Sequence, residues 1–342
     1  MRGLPYYLEA EMDTSTHIIM GFGLAGLAYI DPAVAGSPEL AQAIMIGTVI
    51  GSNSPDFDYG IKLLKGNGMY IEHHRGASHS IPALFIWTVL ISCITFLFFK
   101  DVSFYPLLYW TFLAVILHVG FDILNAYGTQ AARPLTKKWL SLNFVPLFDP
   151  FIILVHLICF SFWTIGFHSG FVFLWGYIVI IGYLVVRFYI SLKNKKQVIQ
   201  SMDMKGICTI VPTIWLRKWH VVFETDQIYY VGILDKNGLH LIHTFEKHNQ
   251  LCPYIIASED DHNVKHFQAN SGHVHAMYVP HPKGYEVSWI DLRFRHNHHY
   301  PYMAVVKLDK NLQIISSYTG WIYQSKKLHQ KLVPSKTNAI QM

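Results

Sequence analysis

The sequence predicts an α-helical integral membrane domain followed by a small β-rich soluble domain. Of its 342 residues, 52% are hydrophobic and only 14% are charged, whereas soluble proteins carry about 25% charged residues. Long apolar stretches are confined to the first 190 residues. After Arg187 the chain changes to short segments rich in Val, Ile and Tyr, separated by turn residues, as is typical of strands.

Four apolar stretches approach the roughly 20 residues needed to cross a bilayer. They are residues 81–99, 104–124, 147–167 and 170–190. Two shorter segments, 18–30 and 40–51, are rich in Gly and Ala and raise the number of apolar helices to six. They form either a tight hairpin packed through small residues or interfacial helices, and the sequence leaves open whether they span the membrane.

Changes in composition define the domain boundaries. Residues 1–11 include acidic side chains and no signal-peptide core, so we expect a dispensable extension. The membrane domain covers residues 12–190 and a basic linker covers 191–204. The soluble domain covers 205–325, and 326–342 form a loose tail.

Basic residues mark one side of the membrane domain. They are Lys62, Lys65, Arg75, Arg133, Lys137, Lys138, Lys193, Lys195 and Lys196, whereas the other side carries only Lys100. The positive-inside rule makes the basic side cytoplasmic, so we expect a multi-pass protein of the cell (plasma) membrane with a cytoplasmic C-terminal domain. The net charge of +5 suits an anionic leaflet and gives no argument for nucleic acid as a partner.

Histidines and aspartates collect at the cytoplasmic ends of the apolar segments. The candidate metal ligands are His17, Asp56, Asp58, His74, His79, His118 and Asp122. His118 and Asp122 are four residues apart on a predicted helix, so they project from one face. Asp56 and Asp58 share a proline-containing turn, and His74 and His79 flank an Arg-Gly loop before a helix. Asp149 is a further candidate, or the cap of the span that follows it.

The chemistry of these side chains suggests a divalent metal. His and Asp without Cys suit zinc, with manganese or iron as alternatives, and seven ligands leave room for more than one ion. A multinuclear site is typical of phosphate-ester hydrolysis. Arg75 is expected to hold a phosphate oxygen, with Asn125 as a second substrate-binding residue. Asp58, Arg75 and Asp122 are the predicted catalytic residues, one carboxylate acting as general base.

Each of these residues alone has a simpler interpretation as a cap or a satisfied buried polar group. The joint set favours metal binding, because ionisable residues inside membrane segments are costly. Thirteen of the twenty histidines follow residue 200, among them His273 and His275. We expect them to be surface residues, the alternative being a second metal site.

The combined motifs resemble a known family. Thr16-His17 before a Gly-rich helix, Pro55-Asp56-Phe57-Asp58, His74-Arg75-Gly76-x-Ser78-His79-Ser80 and His118-x-x-x-Asp122 are similar to the YdjM-type family of LexA-regulated, membrane-bound, metal-dependent hydrolases. The likeness extends to its YfhP-like branch, which carries a C-terminal soluble extension. It covers about residues 12–190, and Ser78 stands where the family commonly has Thr. The resemblance implies metal ligands at the seven candidate residues. A more distant similarity to the helical zinc phospholipase C group implies phosphodiester cleavage.

Two classes of function follow. The first is a metal-dependent hydrolase of a phosphoester or other ester, with a membrane lipid as the expected substrate, at the cytoplasmic face. The second is a non-enzymatic membrane regulator or envelope-assembly partner with a structural metal site, whose C-terminal domain binds a membrane protein. A transporter is disfavoured, because no polar path continues through residues 151–190.

Overall fold

The chain forms a helical N-terminal half and a C-terminal domain of two antiparallel sheets, which confirms the predicted fold class. The computed structural model describes residues 8–58, 75–99, 101–247, 252–296, 298–323 and 332–334. These residues divide into two compact units. The helical unit runs to Leu192 and also includes the short segment Pro212–Leu216, and the second unit contains the sheets.

Proline and capping residues fix where several of the helices begin. The helices are α1 (Leu8–Ala28), α2 (Pro32–Ala35), α3 (Pro38–Gly51), α4 (Ile81–Phe98), α5 (Phe104–Leu124), α6 (Pro150–Thr164) and α7 (Ser169–Met202). Two 3-10 helices, Ser54–Asp58 and Ala77–His79, follow α3 and precede α4. The Ser37 side chain caps α3 and that of Asp149 caps α6, each directly before a proline, where the missing N–H costs nothing.

Three helices in the described part of the chain, α4, α5 and α7, are long and apolar enough to cross a membrane. The predicted span 147–167 corresponds to α6, which is apolar but only 15 residues long. The apolar part of α1 and the whole of α3 are also shorter than a full span. Length and composition therefore support three crossings and leave the number of further ones undetermined.

Helices α1 and α3 pack as a hairpin through small residues, one of the two arrangements that the sequence allowed. Gly21 of α1 lies against the backbone of Val49 and the side chain of Ser52. On its other side, α3 packs on α5, where Gly47 faces Thr111. Because a glycine lets two helix backbones approach closely, these contacts hold the ends of α1, α3 and α5 together.

A buried arginine joins the end of α7 to the connecting segments. Arg187, fully buried, donates from Nε to the Phe144 carbonyl (2.7 Å) and from Nη2 to that of Thr213 (3.0 Å). Its Nη1 donates to the Tyr183 hydroxyl (2.9 Å), which in turn donates to Asp149 (2.7 Å). Asp149, the further candidate ligand, thus serves as a helix cap and as a partner of this cation.

The C-terminal domain contains two meanders of antiparallel strands. The first sheet has the order β1 (Ile207–Pro212), β2 (Trp219–Glu224), β3 (Ile228–Asp235), β4 (Gly238–Glu246). The second has the order β5 (Val274–His281), β6 (Gly284–Asp291), β7 (Tyr302–Asp309), β8 (Ile314–Trp321), β9 (Val333–Pro334). Helices α8 (Pro253–Glu259) and α9 (His262–Asn270) separate the two sheets in sequence.

Side chains of the second sheet alternate between two faces, one packed against the first sheet and the other against helix α8. Ile290 of β6 belongs to the same apolar cluster as Val222 and Val231 of the first sheet. The preceding residue, Trp289, points to the opposite face and donates from its indole to Ser258 of α8 (2.9 Å). The period of two that is typical of strands thus places one side chain between the sheets and the next under the helices.

Two of the C-terminal histidines correct a prediction. His273 and His275 were expected on the surface, but they are only 6% and 7% exposed. The His273 ring lies between the Glu224 carboxylate (2.8 Å from Nδ1) and the Thr209 hydroxyl (2.8 Å from Nε2). Within the described ranges these histidines do not form a second metal-binding group.

We expect Gly21→Ala to destabilise the helical unit, because the added methyl would lie 2.8 Å from Val49 Cα and force α1 from α3. Overpacking of this kind typically costs about 1–3 kcal/mol. The matched control is Gly182→Ala, where nothing lies within 4 Å of the new methyl and helix propensity favours alanine. Thermal unfolding in detergent measures both, and an equal Tm for the two variants would contradict the packing.

Acid should destabilise the C-terminal domain through its buried histidines. Burial, the largest cause, lowers the pKa of His220 from 6.5 to about 4 and also lowers the pKa of His273 and His275. The unfolded chain therefore takes up protons first as the pH falls below 6.5, so stability is full above that pH and declines towards pH 4. Each tenfold preference for the neutral form is worth about 1.4 kcal/mol, so His220 alone accounts for a loss of about 3 kcal/mol. Denaturant unfolding from pH 7 to pH 4 should show less decline in His220→Gln than in the parent.

Candidate metal centre

The candidate site is formed by four residues from three elements of the helical unit. The 3-10 helix after α3 contributes Asp56, and the 3-10 helix before α4 contributes His79. Helix α5 contributes His118 and Asp122 from one face, one turn apart. The predicted i, i+4 pair therefore meets two residues that are about 40 and 60 positions distant in the sequence.

One nitrogen or oxygen atom from each of these residues lies within 4.8 Å of the other three. Nε2 of His79 and Nε2 of His118 are 3.2 Å apart. Oδ2 of Asp122 lies 3.0 Å from the first nitrogen and 3.4 Å from the second. Oδ1 of Asp56 lies 3.5 and 3.6 Å from the same two nitrogens.

These separations are those of a tetrahedral ligand set. In a tetrahedron with metal–ligand bonds of about 2.0–2.1 Å, the ligand atoms are about 3.3 Å from one another. The five separations given above run from 3.0 to 3.6 Å. Two imidazoles and two carboxylates of this geometry can hold zinc, manganese or iron.

Neighbouring groups hold both imidazoles in place. Nδ1 of His118 lies 2.7 Å from the Ser52 carbonyl, which can only accept, so Nδ1 carries the proton and Nε2 faces the cluster with its lone pair. Nδ1 of His79 is hydrogen-bonded to the Ser78 hydroxyl at 3.0 Å. Burial, the largest cause, lowers the pKa of His79 and favours the neutral ring, the form that binds a metal.

The charges around the cluster also favour a cation. Asp56 and Asp122 bring two negative charges, and Arg75 brings one positive charge. Nη2 of Arg75 lies 3.1 Å from Oδ1 of Asp122, and both side chains are buried. Uncompensated charge is costly in such an interior, so a divalent cation among the four ligand atoms is electrostatically favourable.

Arg75 and Asn125 were predicted to bind substrate, and the structure shows both engaged with the protein. Arg75 has a left-handed backbone (φ 59°), and its carbonyl accepts from Gln130 N and from the Thr129 hydroxyl, each at 2.9 Å. The Asn125 amide oxygen accepts from the Gly128 backbone (3.0 Å), and its nitrogen donates to Asp122 (3.4 Å). These contacts suit residues that hold Asp122 in place, and substrate binding by either residue stays a prediction.

One of the four ligand residues is partly exposed, although its Oδ1 atom is itself buried. The Asp56 side chain is 21% exposed, whereas those of His79, His118 and Asp122 are fully buried. Phe57, next in the chain, is 53% exposed and packs edge-on against Trp87 of α4. The approach to Asp56 is therefore flanked by aromatic side chains.

The remaining predicted ligands have different positions. Nε2 of His17 lies 3.6 Å from Oδ1 of Asp122, and its ring packs against His118 with centroids 3.9 Å apart, so His17 is beside the four-atom group. His74 and the Asp58 side chain lie outside the described residues. One metal-binding group occurs in the part of the chain that the structure describes, and a second ion stays a prediction.

Two supporting residues were not identified from the sequence. The Ser52 carbonyl and the Ser78 hydroxyl orient the two imidazoles, as second-shell groups commonly do. Ser78 lies inside the His-Arg-Gly-x-Ser-His motif, so its position next to a candidate ligand was the available signal. The contribution of Ser52 is a backbone carbonyl, which every residue has, so its role could not be predicted from the residue type.

Comparison with known proteins identifies the family. The C-terminal region, residues 253–332, matches the YfhP C-terminal alpha/beta plait domain. YfhP of Bacillus subtilis (strain 168) is 41% identical over 323 residues, covering 94% of this chain and 98% of that protein. No solved structure matches the chain. Residues 12–194 match the YdjM inner membrane protein family, which confirms the resemblance found in the motifs, and the chain belongs to that family.

Proposed function

We propose that this protein is an integral-membrane metal-dependent hydrolase that acts on a phosphoester or other ester of a membrane lipid at the cytoplasmic face. The observation that carries the proposal is the convergence of Asp56, His79, His118 and Asp122 on one point in a chain of a membrane protein family. A metal held there would polarise an ester oxygen and make a bound water a better nucleophile near neutral pH.

The residues have distinct roles in this proposal. His79, His118 and Asp122 hold the metal from the buried side, with Ser52 and Ser78 fixing the two rings. Asp56 is the ligand residue whose side chain is partly exposed, which makes its carboxylate the candidate acceptor for a proton from an incoming water. Asp58, His74 and His17 complete the predicted set of metal ligands, and Asp58 is a second candidate for the general base.

The surroundings of Asp56 favour an amphiphilic substrate. The exposed Phe57 ring and Trp87 beside it offer apolar contact, while the ligand atoms offer charge to a polar ester. Helix α4 continues from this point as an apolar segment with exposed Phe85 and Ile86. A lipid whose acyl chains follow α4 would place its head group near the cluster.

A structural metal site in a non-enzymatic membrane regulator or envelope-assembly partner is the second candidate. The number of ligands supports this candidate. Four protein ligands fill all positions of a tetrahedral site, whereas catalytic zinc sites keep one position open for water or substrate. In that case the metal would fix α3, α4 and α5 in place, and the C-terminal domain would bind a membrane protein.

Metal content tests the site itself. We expect purified full-length protein to hold at least one zinc, manganese or iron ion per chain, measured by elemental mass spectrometry. His79→Ala and His118→Ala should lose it, because each removes a ligand atom, and Ser78→Ala should weaken affinity by about 10–100-fold. His168→Ala, at an exposed histidine, is the control. Full metal content in both ligand variants would refute the site.

Hydrolysis tests the function. In detergent–lipid micelles the protein should release product from a phosphoester lipid, stop after chelation and resume when metal is returned. Asp56→Asn should lower turnover by about 10²-fold or more, the usual value of a general base, while the exposed Asp101→Asn serves as control. A metal-loaded, folded protein without activity on esters, whose Tm falls on chelation, would favour the structural candidate.

A further inference from the structure

An exposed apolar loop follows the first strand of the sheet domain. Ile214, Trp215 and Leu216 are 48%, 64% and 38% exposed, so three consecutive large apolar side chains face outward. The next two residues in the chain, Arg217 and Lys218, are exposed as well. Runs of exposed apolar residues are unusual on soluble surfaces and mark binding sites.

A second loop of the helical unit has the same character. Between α5 and α6, Leu135 and Leu142 are 83% and 51% exposed. Lys137 and Lys138 lie between them and are exposed too. Within the helical unit both loops therefore expose large apolar side chains, and the second loop also carries two adjacent cations.

Arg187 connects the two loops to one apolar helix. Its Nε donates to the carbonyl of Phe144, two residues after Leu142, and its Nη2 donates to the carbonyl of Thr213, directly before Ile214. Arg187 lies in the C-terminal half of α7, one of the helices apolar enough to cross the membrane. Both loops are thus anchored to a single residue of this helix.

We propose that these two loops of the helical unit, residues 134–142 and 213–216, form a membrane-binding rim for anionic phospholipids. Trp215 and the leucines enter the zone between head groups and acyl chains, where tryptophan concentrates in membrane proteins. Lys137 and Lys138 bind the lipid phosphates, as basic residues do next to apolar anchors. The charge of the rim identifies the partner, because two adjacent cations beside exposed apolar side chains match a negatively charged lipid surface. The rim is independent of the proposed hydrolase activity.

The depth of Trp215 tests the apolar part. Full-length protein is placed in nanodiscs of phosphatidylcholine and phosphatidylglycerol, with and without bromine atoms on the acyl chains near the head groups. The difference in fluorescence between the parent and Trp215→Phe gives the signal of Trp215, and brominated lipid should quench that signal. Trp175→Phe is the positive control, because Trp175 lies on α7 and is 65% exposed. If the fluorescence of Trp215 were the same with and without brominated lipid, while that of Trp175 was quenched, the proposed rim would be wrong.

Hydrogen exchange tests the charge. Exchange in residues 134–142 and 213–216 should be slower in nanodiscs containing phosphatidylglycerol than in pure phosphatidylcholine. Replacement of Lys137 and Lys138 by Gln should abolish that difference. Lys236→Gln with Lys283→Gln, exposed cations in hairpin turns, should preserve it. An exchange rate that is the same with and without anionic lipid would refute the proposal and would favour a protein as the partner that covers the loops.

Discussion

Two imidazole nitrogens that point at each other set the central constraint of the helical unit. Nε2 of His79 and Nε2 of His118 are 3.2 Å apart, and the Ser52 carbonyl on Nδ1 of His118 leaves the Nε2 atom of that ring with a lone pair on the facing side. Two unprotonated nitrogens at this separation repel unless a positive charge lies between them. The negative charges of the Asp56 and Asp122 carboxylates further favour a cation at this point. The arrangement is therefore stable when the two nitrogens and the two carboxylates share a metal ion or a proton.

The rest of the unit can be understood as support for this arrangement. Small residues such as Gly21 and Gly47 let α1, α3 and α5 approach closely enough for their ends to share one cluster. Arg75, held in a left-handed conformation, offsets part of the charge of Asp122 from the side opposite the histidines. The geometry therefore depends on residues that have no metal-binding chemistry of their own.

Part of this site was predictable from the sequence, for definite physical reasons. The spacing of His118 and Asp122 fixes their common face on any α-helix, and the alternation of apolar and basic segments placed Asp56 and His79 at the same end. The positions of Arg75 and Asn125 in the support of Asp122 were not predictable, because they depend on how a turn closes. Of the fold, the change from long apolar helices to short strands after Arg187 was predicted from composition. The helices α8 and α9 within the sheet domain were not predicted, because helices of only seven and nine residues carry little periodic signal.

The buried Arg187 bears on how the protein enters the membrane during synthesis. An unpaired arginine within a membrane helix is costly, and Arg187 is relieved of this cost by Tyr183 on its own helix and by Asp149 at the start of α6. Asp149 in turn precedes an apolar helix too short for a secure crossing by itself. Because Asp149 precedes α6 and Tyr183 lies on α7, Arg187 is fully compensated during synthesis only once both helices are present together.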